Sequence, residues 1–308
     1  MSPRTTRRTG AAKSRLVAVG ALAAAGALVL SSCGDQTDDG GDSGDGGGET
    51  KTSSNAAPGA LPKAIKDAGV IKVGSDIAYA PMEFDQGGKP AGVDIDIANA
   101  LGEELGVEFQ FQNNVFDNLI PSLDSGRFDI IMSSMTDNKE RQAEVDFVDY
   151  FSAGVSILVQ KGNPDGISTL DDLCGKTVAF QRGTVSADIA KAQNEKCDKP
   201  IKTLPFTKDT EALQQVKQGR AVADLNDFPV AAYNARESGG GDDFEVVGEQ
   251  IDAAPYGIAV SKDNAELRDA LAEALDAIIE NGEYQKVLEK WEVQQGGVDK
   301  ATVNGGNE

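Results

Sequence analysis

The stretch "VDIDIANALGEELGVEFQFQNNVFDNLIPSLDSGRFDIIM", residues 93–132, decides the fold because its apolar period changes repeatedly. Apolar residues recur at helical spacing over 93–106, and residues 107–112 then alternate with the period of a strand. A short helix over 116–126 and a buried strand over 127–132 follow. With the apolar segment "VIKVGS" just upstream, the order is βαβαβ, which predicts a parallel sheet flanked by helices.

A second alternation of strand and helix patterns begins with "VSILVQK" at 155–161 and ends with the strand "YGIAVSKD" at 256–263. Two such units side by side predict an α/β fold of two lobes with a cleft between them. A long helix with one apolar face and a shorter helix ending near Trp291 come last. The Gly-rich segment 296–308 is expected to be a frayed tail.

The first 60 residues have a different character. Basic residues precede an apolar run at 16–30, which is short for a membrane-spanning helix and indicates a signal peptide over 1–32. The run ends in "LSSC", and small residues before a cysteine resemble the bacterial lipobox, so we expect Cys33 to be lipidated; an ordinary cleavage site is the alternative. Residues 33–60, rich in Gly, Asp and Ser, are expected to form a disordered tether.

Composition excludes several classes of function. The formal net charge of −21 argues against nucleic acid as a partner and against electrostatic attraction to anionic lipid, so only a lipid anchor would hold the chain to a membrane. The chain contains no histidine, which removes His-based catalytic triads and His-ligated zinc. We therefore expect no metal and no cofactor.

Two cysteines remain beyond the leader, Cys174 and Cys197. An even pair in an exported chain favours a disulfide. It would close a loop of about 24 residues and contribute roughly 3.4 kcal/mol in the chain-entropy model. Two isolated thiols are too few for a metal site.

The segment "SSMTDNKER", residues 133–141, places hydroxyls and a guanidinium directly after a buried strand. Open α/β sheets bind ligands in loops at the carboxyl ends of their strands. Hydroxyls together with the N–H fork of Arg141 suit a carboxylate, so this segment is a candidate carboxylate clamp. A surface ion pair between Arg141 and Glu144 is the structural alternative.

Several motifs occur in a fixed order: "IKVGSDIAYAPMEF", "GVDIDIANAL", "FDNLIPSLDSGRFDIIMSSMTDNKERQAEVDFVDYF", "VAFQRGTVSADIA" and "GRAVADLNDFPVAAY". In this order they resemble extracytoplasmic solute-binding protein family 3, the polar amino-acid-binding proteins of ABC importers, over about residues 62–292. The resemblance implies a two-lobe periplasmic-binding-protein-like fold (type II), in which each lobe is a sheet flanked by helices and a hinged cleft holds the ligand. Lobe 1 would comprise 61–153 plus 255–295, and lobe 2 would comprise 154–254.

The resemblance also implies how an α-amino acid would be bound. Arg141 would grip the α-carboxylate with two parallel N–H bonds, and Asp227 in "LNDFP" would bind the α-ammonium. The other ligand contacts implied by the matching motifs are Asp76, Tyr79, Phe116, Ser133, Ser134, Thr136, Gln181 and Thr184. Of these, Ser134, Thr136 and Thr184 would assist the clamp, and Ser133 would be a secondary contact.

The side chain of the ligand would lie between the aromatic walls Tyr79 and Phe116, with Asp76 as a contact for cationic or amide groups. Asp94 matches a further acid that some basic-ligand members use, although a structural role is the stronger reading. Gln181 occupies a position that varies among members. Structural alternatives remain for the rest: Asp227 as a helix N-cap, the aromatic residues as core, and Asp76 as a turn cap.

The implied function is a substrate-binding lipoprotein, monomeric and not an enzyme, anchored to the outer face of the bacterial cell membrane. It would capture a polar L-amino acid, basic or glutamine, and deliver it to the transmembrane subunits of an ABC permease. Arg182 leaves the ligand open, because an inward side chain would disfavour lysine and arginine. A sensor, a binding protein for an opine or compatible solute, and a dehydratase-like enzyme on the same fold are the alternatives.

Overall fold

The computed structural model describes residues 61–306, and most strands in this part of the chain join one mixed sheet. The predicted signal peptide, the lipidated Cys33 and the tether up to residue 60 lie outside the described residues. No helix within the described residues is both long and apolar enough to cross a bilayer.

The helices follow the periodicity of the sequence closely. The 93–106 pattern, for example, forms α2 and ends at Gly106, whose positive φ of 69° gives the left-handed helix cap that glycine favours. The helices are α1 Lys63–Ala68, α2 Val93–Leu105, α3 Leu119–Asp124, α4 Lys139–Gln142, α5 Val185–Lys196, α6 Asp209–Lys217, α7 Phe228–Glu237, α8 Ala265–Glu280 and α9 Glu283–Trp291.

The strands are β1 Val70–Ser75, β2 Ala78–Tyr79, β3 Glu83–Asp85, β4 Pro90–Ala91, β5 Glu108–Asn113, β6 Ile130–Ile131, β7 Val145–Gln160, β8 Thr177–Gln181, β9 Lys202–Phe206, β10 Ala223–Asp227, β11 Phe244–Ser261 and β12 Thr302–Val303. The main sheet has the order β5-β1-β6-β11-β7-β10-β8-β9, and β12 pairs with β7. Parallel pairing joins β5, β1 and β6 at one end and β10, β8 and β9 at the other. We call the half with β1, β5 and β6 the first lobe and the half with β8, β9 and β10 the second lobe.

Two long antiparallel strands, β7 and β11, connect the lobes. The sequence pattern predicts a strand that starts at 155, and the family resemblance predicts a strand-like crossover near residues 151–156 as part of the hinge. In the structure a single strand, β7, runs through both segments without a break at Gly154. Nearly every residue of β7 is buried, so small residues in its middle do not end it. The partner β11 shifts register around Ile251 and Ala254, and this irregular stretch lies near residues 251–257, where the family resemblance predicts the second crossover of the hinge.

The apolar core divides at these two strands. One cluster combines residues from β1, α2 and the first half of β7 with Leu271 and Leu275 of α8 and Leu288 of α9. A second cluster contains residues between 155 and 251 and includes Leu225 of β10. The helices after β11 therefore return to the first lobe, which spacing alone does not establish. The lobe boundaries expected from the sequence stay a prediction.

A short antiparallel sheet of β2, β3 and β4 is not predicted by the sequence. It is held against the start of α2 by Gly92, whose φ is 133° and whose missing Cβ would lie 2.2 Å from the Met82 carbonyl oxygen. This contact fixes the chain between Tyr79 and Glu83 at the edge of the cleft.

The tail differs from the expectation of a frayed end. Residues 302–303 form β12 on β7, and the backbone N–H groups of Gly305 and Gly306 donate to Asp149 and Asp137. These long-range hydrogen bonds hold the segment in place through residue 306. The expectation of a frayed tail is therefore wrong for residues 296–306. In the second lobe, Cys174 and Cys197 form a disulfide that ties the end of α5 to the loop before β8.

Candidate functional site: a cavity between the lobes

A cavity lies between the lobes and is walled by both. The structure brings every ligand contact expected from the sequence to this cavity. Its lining residues are Asp76, Tyr79, Glu83, Phe116, Ser133, Ser134, Thr136, Arg141, Gln181, Thr184, Val185 and Asp227.

The ends of strands position most of these side chains. Asp76 directly follows β1, and Ser133 and Ser134 closely follow β6 in the first lobe. Gln181 and Asp227 are the last residues of β8 and β10 in the second lobe. Since both sets lie at carboxyl ends of parallel strands, the cavity is where an open α/β sheet binds its ligand.

Arg141 places its guanidinium in the cavity from the short helix α4. Its backbone N–H is capped by the Asn138 side chain at 2.9 Å. Its Nη1 donates to the Thr136 carbonyl at 2.7 Å, and Nη2 crosses to the Gly183 carbonyl of the second lobe at 3.1 Å. The guanidinium carbon lies 5.4 Å from the centre of the Phe116 ring. The fork is thus oriented by carbonyl oxygens and by an aromatic face, and burial lowers the pKa of Arg141.

The alternative role for Arg141, an ion pair with Glu144, is absent among the described residues. The backbone N–H of Glu144 donates to the Arg141 carbonyl at 3.0 Å. The charge of the guanidinium is therefore available to a ligand.

Asp227 stands at the N-cap position of α7, but its side chain makes no capping hydrogen bond. Its backbone N–H donates to the Tyr79 hydroxyl across the cleft at 3.0 Å. Burial raises the pKa of the Asp227 carboxyl to about 6, and the nearby hydroxyls of Tyr256 and Tyr79 and the charge of Arg141 oppose the rise. The carboxyl therefore faces the cavity instead of capping the helix.

Asp76 and Gln181 meet across the cavity. The Gln181 Nε2 donates to Asp76 Oδ2 at 2.6 Å and to the Thr207 carbonyl at 2.9 Å. Asp76 is 4% exposed, and its Oδ1 has no hydrogen-bond partner within the described residues. Burial raises the pKa of Asp76 to about 6, although the hydrogen bond from Gln181 acts to lower it. A buried carboxylate oxygen without a donor calls for one from a ligand.

Glu83 is a site residue that the sequence analysis misses. It is buried beside the cavity and accepts hydrogen bonds from the Ser133 hydroxyl at 3.0 Å and the Ser134 hydroxyl at 2.9 Å. Ser133 Oγ also accepts the backbone N–H of Asp76 at 2.9 Å. Because both serine hydrogens are donated to Glu83, neither hydroxyl is free to donate to a ligand carboxylate. Ser134 therefore holds Glu83 in this structure, and the clamp role expected of it stays a prediction.

Asp94 lies behind Glu83. Its surroundings agree with the structural role that the sequence analysis favours over a ligand contact. Its oxygens accept from the Tyr150 hydroxyl at 2.7 Å and the Ser134 backbone N–H at 3.0 Å. Burial and the adjacent acid raise the pKa of Glu83 well above its ordinary value, and burial raises that of Asp94 to about 6. Burial of these two adjacent carboxyls therefore disfavours a negative charge on both at once.

Thr184 contributes through the start of α5. Its hydroxyl donates to the Gln181 carbonyl at 2.7 Å and accepts the Ala187 backbone N–H at 3.3 Å, so it caps the helix. The first turn of α5, including Val185, faces the cavity. The N-terminal end of this helix favours a negatively charged group there.

Arg182 points away from the cavity. Its Nε pairs with Asp117 of the first lobe at 2.6 Å, and its side chain is 51% exposed. This ion pair bridges the lobes outside the lining residues. The orientation removes the objection that an inward Arg182 would repel a cationic ligand.

The sequence matches the family of bacterial extracellular solute-binding proteins, family 3, over residues 71–294. It is 35% identical to the arginine-binding protein ArgT of Corynebacterium glutamicum over 251 residues, which cover 79% of this chain and 81% of ArgT.

Two solved structures resemble this chain over nearly their whole length. One is the ancestral amino acid-binding protein AncCDT-1, a precursor of cyclohexadienyl dehydratase, with a TM-score of 0.68 and 40% identity over 74% of this chain and 97% of that one. The other is an ancestral arginine-binding protein bound to arginine, with a TM-score of 0.68 and 38% identity over 72% and 98% of the two chains. This chain belongs to the bacterial extracellular solute-binding proteins, family 3.

Proposed function

We propose that this protein is the substrate-binding component of an amino-acid ABC importer and that it binds a basic L-amino acid. The observation that carries the proposal is the arrangement of Arg141 and Asp227 around one cavity, with the unpaired oxygen of Asp76 as a third anchor. Arg141 would hold the α-carboxylate, and the helix end at Thr184 would support it. Asp227 would hold the α-ammonium.

The balance of charge favours a cationic side chain over glutamine. A zwitterionic backbone neutralises Arg141 and Asp227, which leaves Asp76 and the buried acids Glu83 and Asp94. One positive side chain compensates these acids better than a neutral amide, and a buried charge without a partner is costly. An acidic side chain would meet like charges.

The ArgT relative and the ancestral structure with arginine support arginine as the first ligand to test. A guanidinium can donate to several acceptors at fixed angles, and it can lie flat between Tyr79 and Phe116. The AncCDT-1 resemblance keeps an enzyme in view. We propose binding without turnover, so that a ligand recovered from the protein should be chemically unchanged.

Beyond the described residues, we propose that Cys33 is lipidated and holds the monomeric protein at the outer face of the cell membrane, where a permease receives the ligand. Radiolabelled palmitate should be incorporated by the wild-type chain and lost in Cys33→Ala. Retained labelling in Cys33→Ala would contradict the assignment.

A thermal-shift screen tests the ligand. The protein is unfolded and refolded to remove bound ligand, then scanned with the twenty amino acids, ornithine, cystine and citrulline. Ligand at 100 times its Kd adds about 2.7 kcal/mol of stability, which raises the Tm by several degrees. L-Arginine should raise the Tm more than L-citrulline, its neutral analogue, and more than glutamine. A larger shift with glutamine would reject a basic ligand, and a flat screen would reject an amino acid altogether.

A further inference from the structure

The segment 302–306, which we call the strap, lies beyond the part of the chain that matches the family, since that match ends at residue 294. Its first two residues form β12 and pair antiparallel with Val148 and Asp149 of β7. The strap thus adds an edge to the first lobe close to the loop that carries Arg141.

Asn304 fixes the strap to β7. Its Oδ1 accepts the Phe147 backbone N–H at 2.8 Å, its Nδ2 donates to Asp146 at 3.0 Å, and its backbone N–H donates to the Phe147 carbonyl at 3.2 Å. Asn304 has a φ of 53°, a conformation that asparagine adopts more readily than most residues. Gly305 N–H donates to Asp149 at 2.9 Å. Such a set of contacts defines one position for the chain.

The far end of the strap reaches the clamp loop. Gly306 N–H donates to Asp137 Oδ2 at 2.8 Å. Gln142 Nε2 donates both to Asp137 Oδ1 at 2.7 Å and to the Gly306 carbonyl at 2.9 Å. The approach is so close that a Cβ on Gly306 would lie 2.1 Å from the Asp137 carbonyl oxygen.

These contacts fall on residues that adjoin the clamp on both sides. Asp137 lies between Thr136, whose carbonyl accepts Arg141 Nη1, and Asn138, whose side chain caps the Arg141 N–H. Gln142 is the residue after Arg141. The strap therefore braces the loop that orients the guanidinium without itself reaching the cavity.

We propose that the strap is a positioning element that fixes Arg141 for the ligand carboxylate. The inference rests on the proposed function for its effect on ligand binding, while its effect on the loop does not depend on any ligand. If the strap served stability alone, displacing it would loosen the first lobe in general and would not selectively weaken binding of the carboxylate.

The variant Gly306→Ala tests this, because it displaces the strap from Asp137 without removing it. The control is Lys300→Ala, an exposed position just outside the strap. Calorimetric titrations use L-arginine and L-argininamide, which keeps both cationic groups but has no carboxylate. We expect Gly306→Ala to weaken L-arginine binding about tenfold, as expected for a weakened charge-assisted hydrogen bond, and to change L-argininamide binding less than about threefold.

Equal losses of affinity for the two probes would overturn the proposal, because the strap would then act on the lobe as a whole. No loss for either probe would overturn it as well. A second measurement needs no ligand: amide hydrogen exchange at Arg141 should speed up in Gly306→Ala and stay unchanged in Lys300→Ala. If wild type does not bind L-arginine, the ligand proposal fails and this exchange measurement alone decides. Unchanged exchange at Arg141 would refute the strap's role.

Discussion

Replacing Arg141 by alanine is the strongest perturbation of the proposed carboxylate site, and the neighbouring Arg182 provides a matched control. Both arginines carry contacts between the lobes: Arg141 through the Gly183 carbonyl and Arg182 through Asp117. Only Arg141 lines the cavity. The two variants therefore separate ligand binding from bridging of the lobes.

The expected magnitudes differ by orders of magnitude in Kd. Removing one partner of a buried, hydrogen-bonded charge pair costs about 2–5 kcal/mol, which corresponds to roughly 30-fold to several thousand-fold in Kd. For Arg141→Ala we expect the lower half of this range, because the free protein also loses the bond from Arg141 to Gly183. Arg182→Ala removes a half-exposed ion pair, and such pairs contribute about 0–1 kcal/mol, so its Kd should rise less than about fivefold.

The assay is calorimetric titration with L-arginine at pH 7.5, using refolded protein freed of ligand. Circular dichroism spectra of both variants should match wild type, because the substitutions lie at the cleft and not in the core. Undiminished binding by Arg141→Ala would refute the carboxylate clamp. A larger loss for Arg182→Ala than for Arg141→Ala would mean that bridging of the lobes, and not recognition of the carboxylate, controls affinity.

Two further predictions concern protonation. The pKa values of Asp76 and Asp227 are raised to about 6, so both acids must lose a proton to hold a cationic ligand. L-Arginine affinity should therefore fall about fivefold per acid between pH 6 and 5, measured by calorimetry, and a flat profile would contradict their roles. In the second lobe, burial raises the pKa of Asp209 to about 7 beside the buried Asp224, so folding takes up protons and stability falls as pH rises toward and through about 7. Asp224→Asn removes one charge of that pair and should raise the Tm by about 2–4 °C at pH 8 and less at pH 5, and an equal change at both would refute the pairing.

Sequence patterns correctly place the residues of the proposed clamp at the cavity, because this placement depends on residue type and local order. A guanidinium and hydroxyls after a buried strand can be recognised without tertiary contacts, and so can the N-cap position of Asp227. Glu83 escapes such reasoning because it is a single acid between apolar residues in strands only two or three residues long. Its importance comes from Ser133 and Ser134, which lie about fifty positions away and are brought to it only by folding.

The strap and the direction of the Arg182 side chain could not be predicted from local sequence patterns, for a related reason. Glycine and asparagine after the last helix are typical of a frayed end, and the contacts that order them are to Asp137, Asp149 and Gln142, far away in sequence. From its loop, Arg182 could point into the cavity or away from it. The ion pair with Asp117 of the opposite lobe holds it away from the cavity. Long-range polar contacts of this kind leave no periodic trace in a sequence.

Closure of the lobes and the charge of the ligand are coupled because the same side chains serve both. Burial raises the pKa values of Asp76 and Asp227 and lowers that of Arg141, so closing the cavity without a partner disfavours all three charges. A ligand of opposite charges relieves this cost only in the closed form, and a ligand shifts such an equilibrium only by its difference in affinity for the two states. Agmatine, which is arginine without the carboxylate, leaves Arg141 unrelieved. Small-angle scattering should therefore show compaction with L-arginine and little with saturating agmatine; equal compaction by both would mean that closure does not depend on the carboxylate.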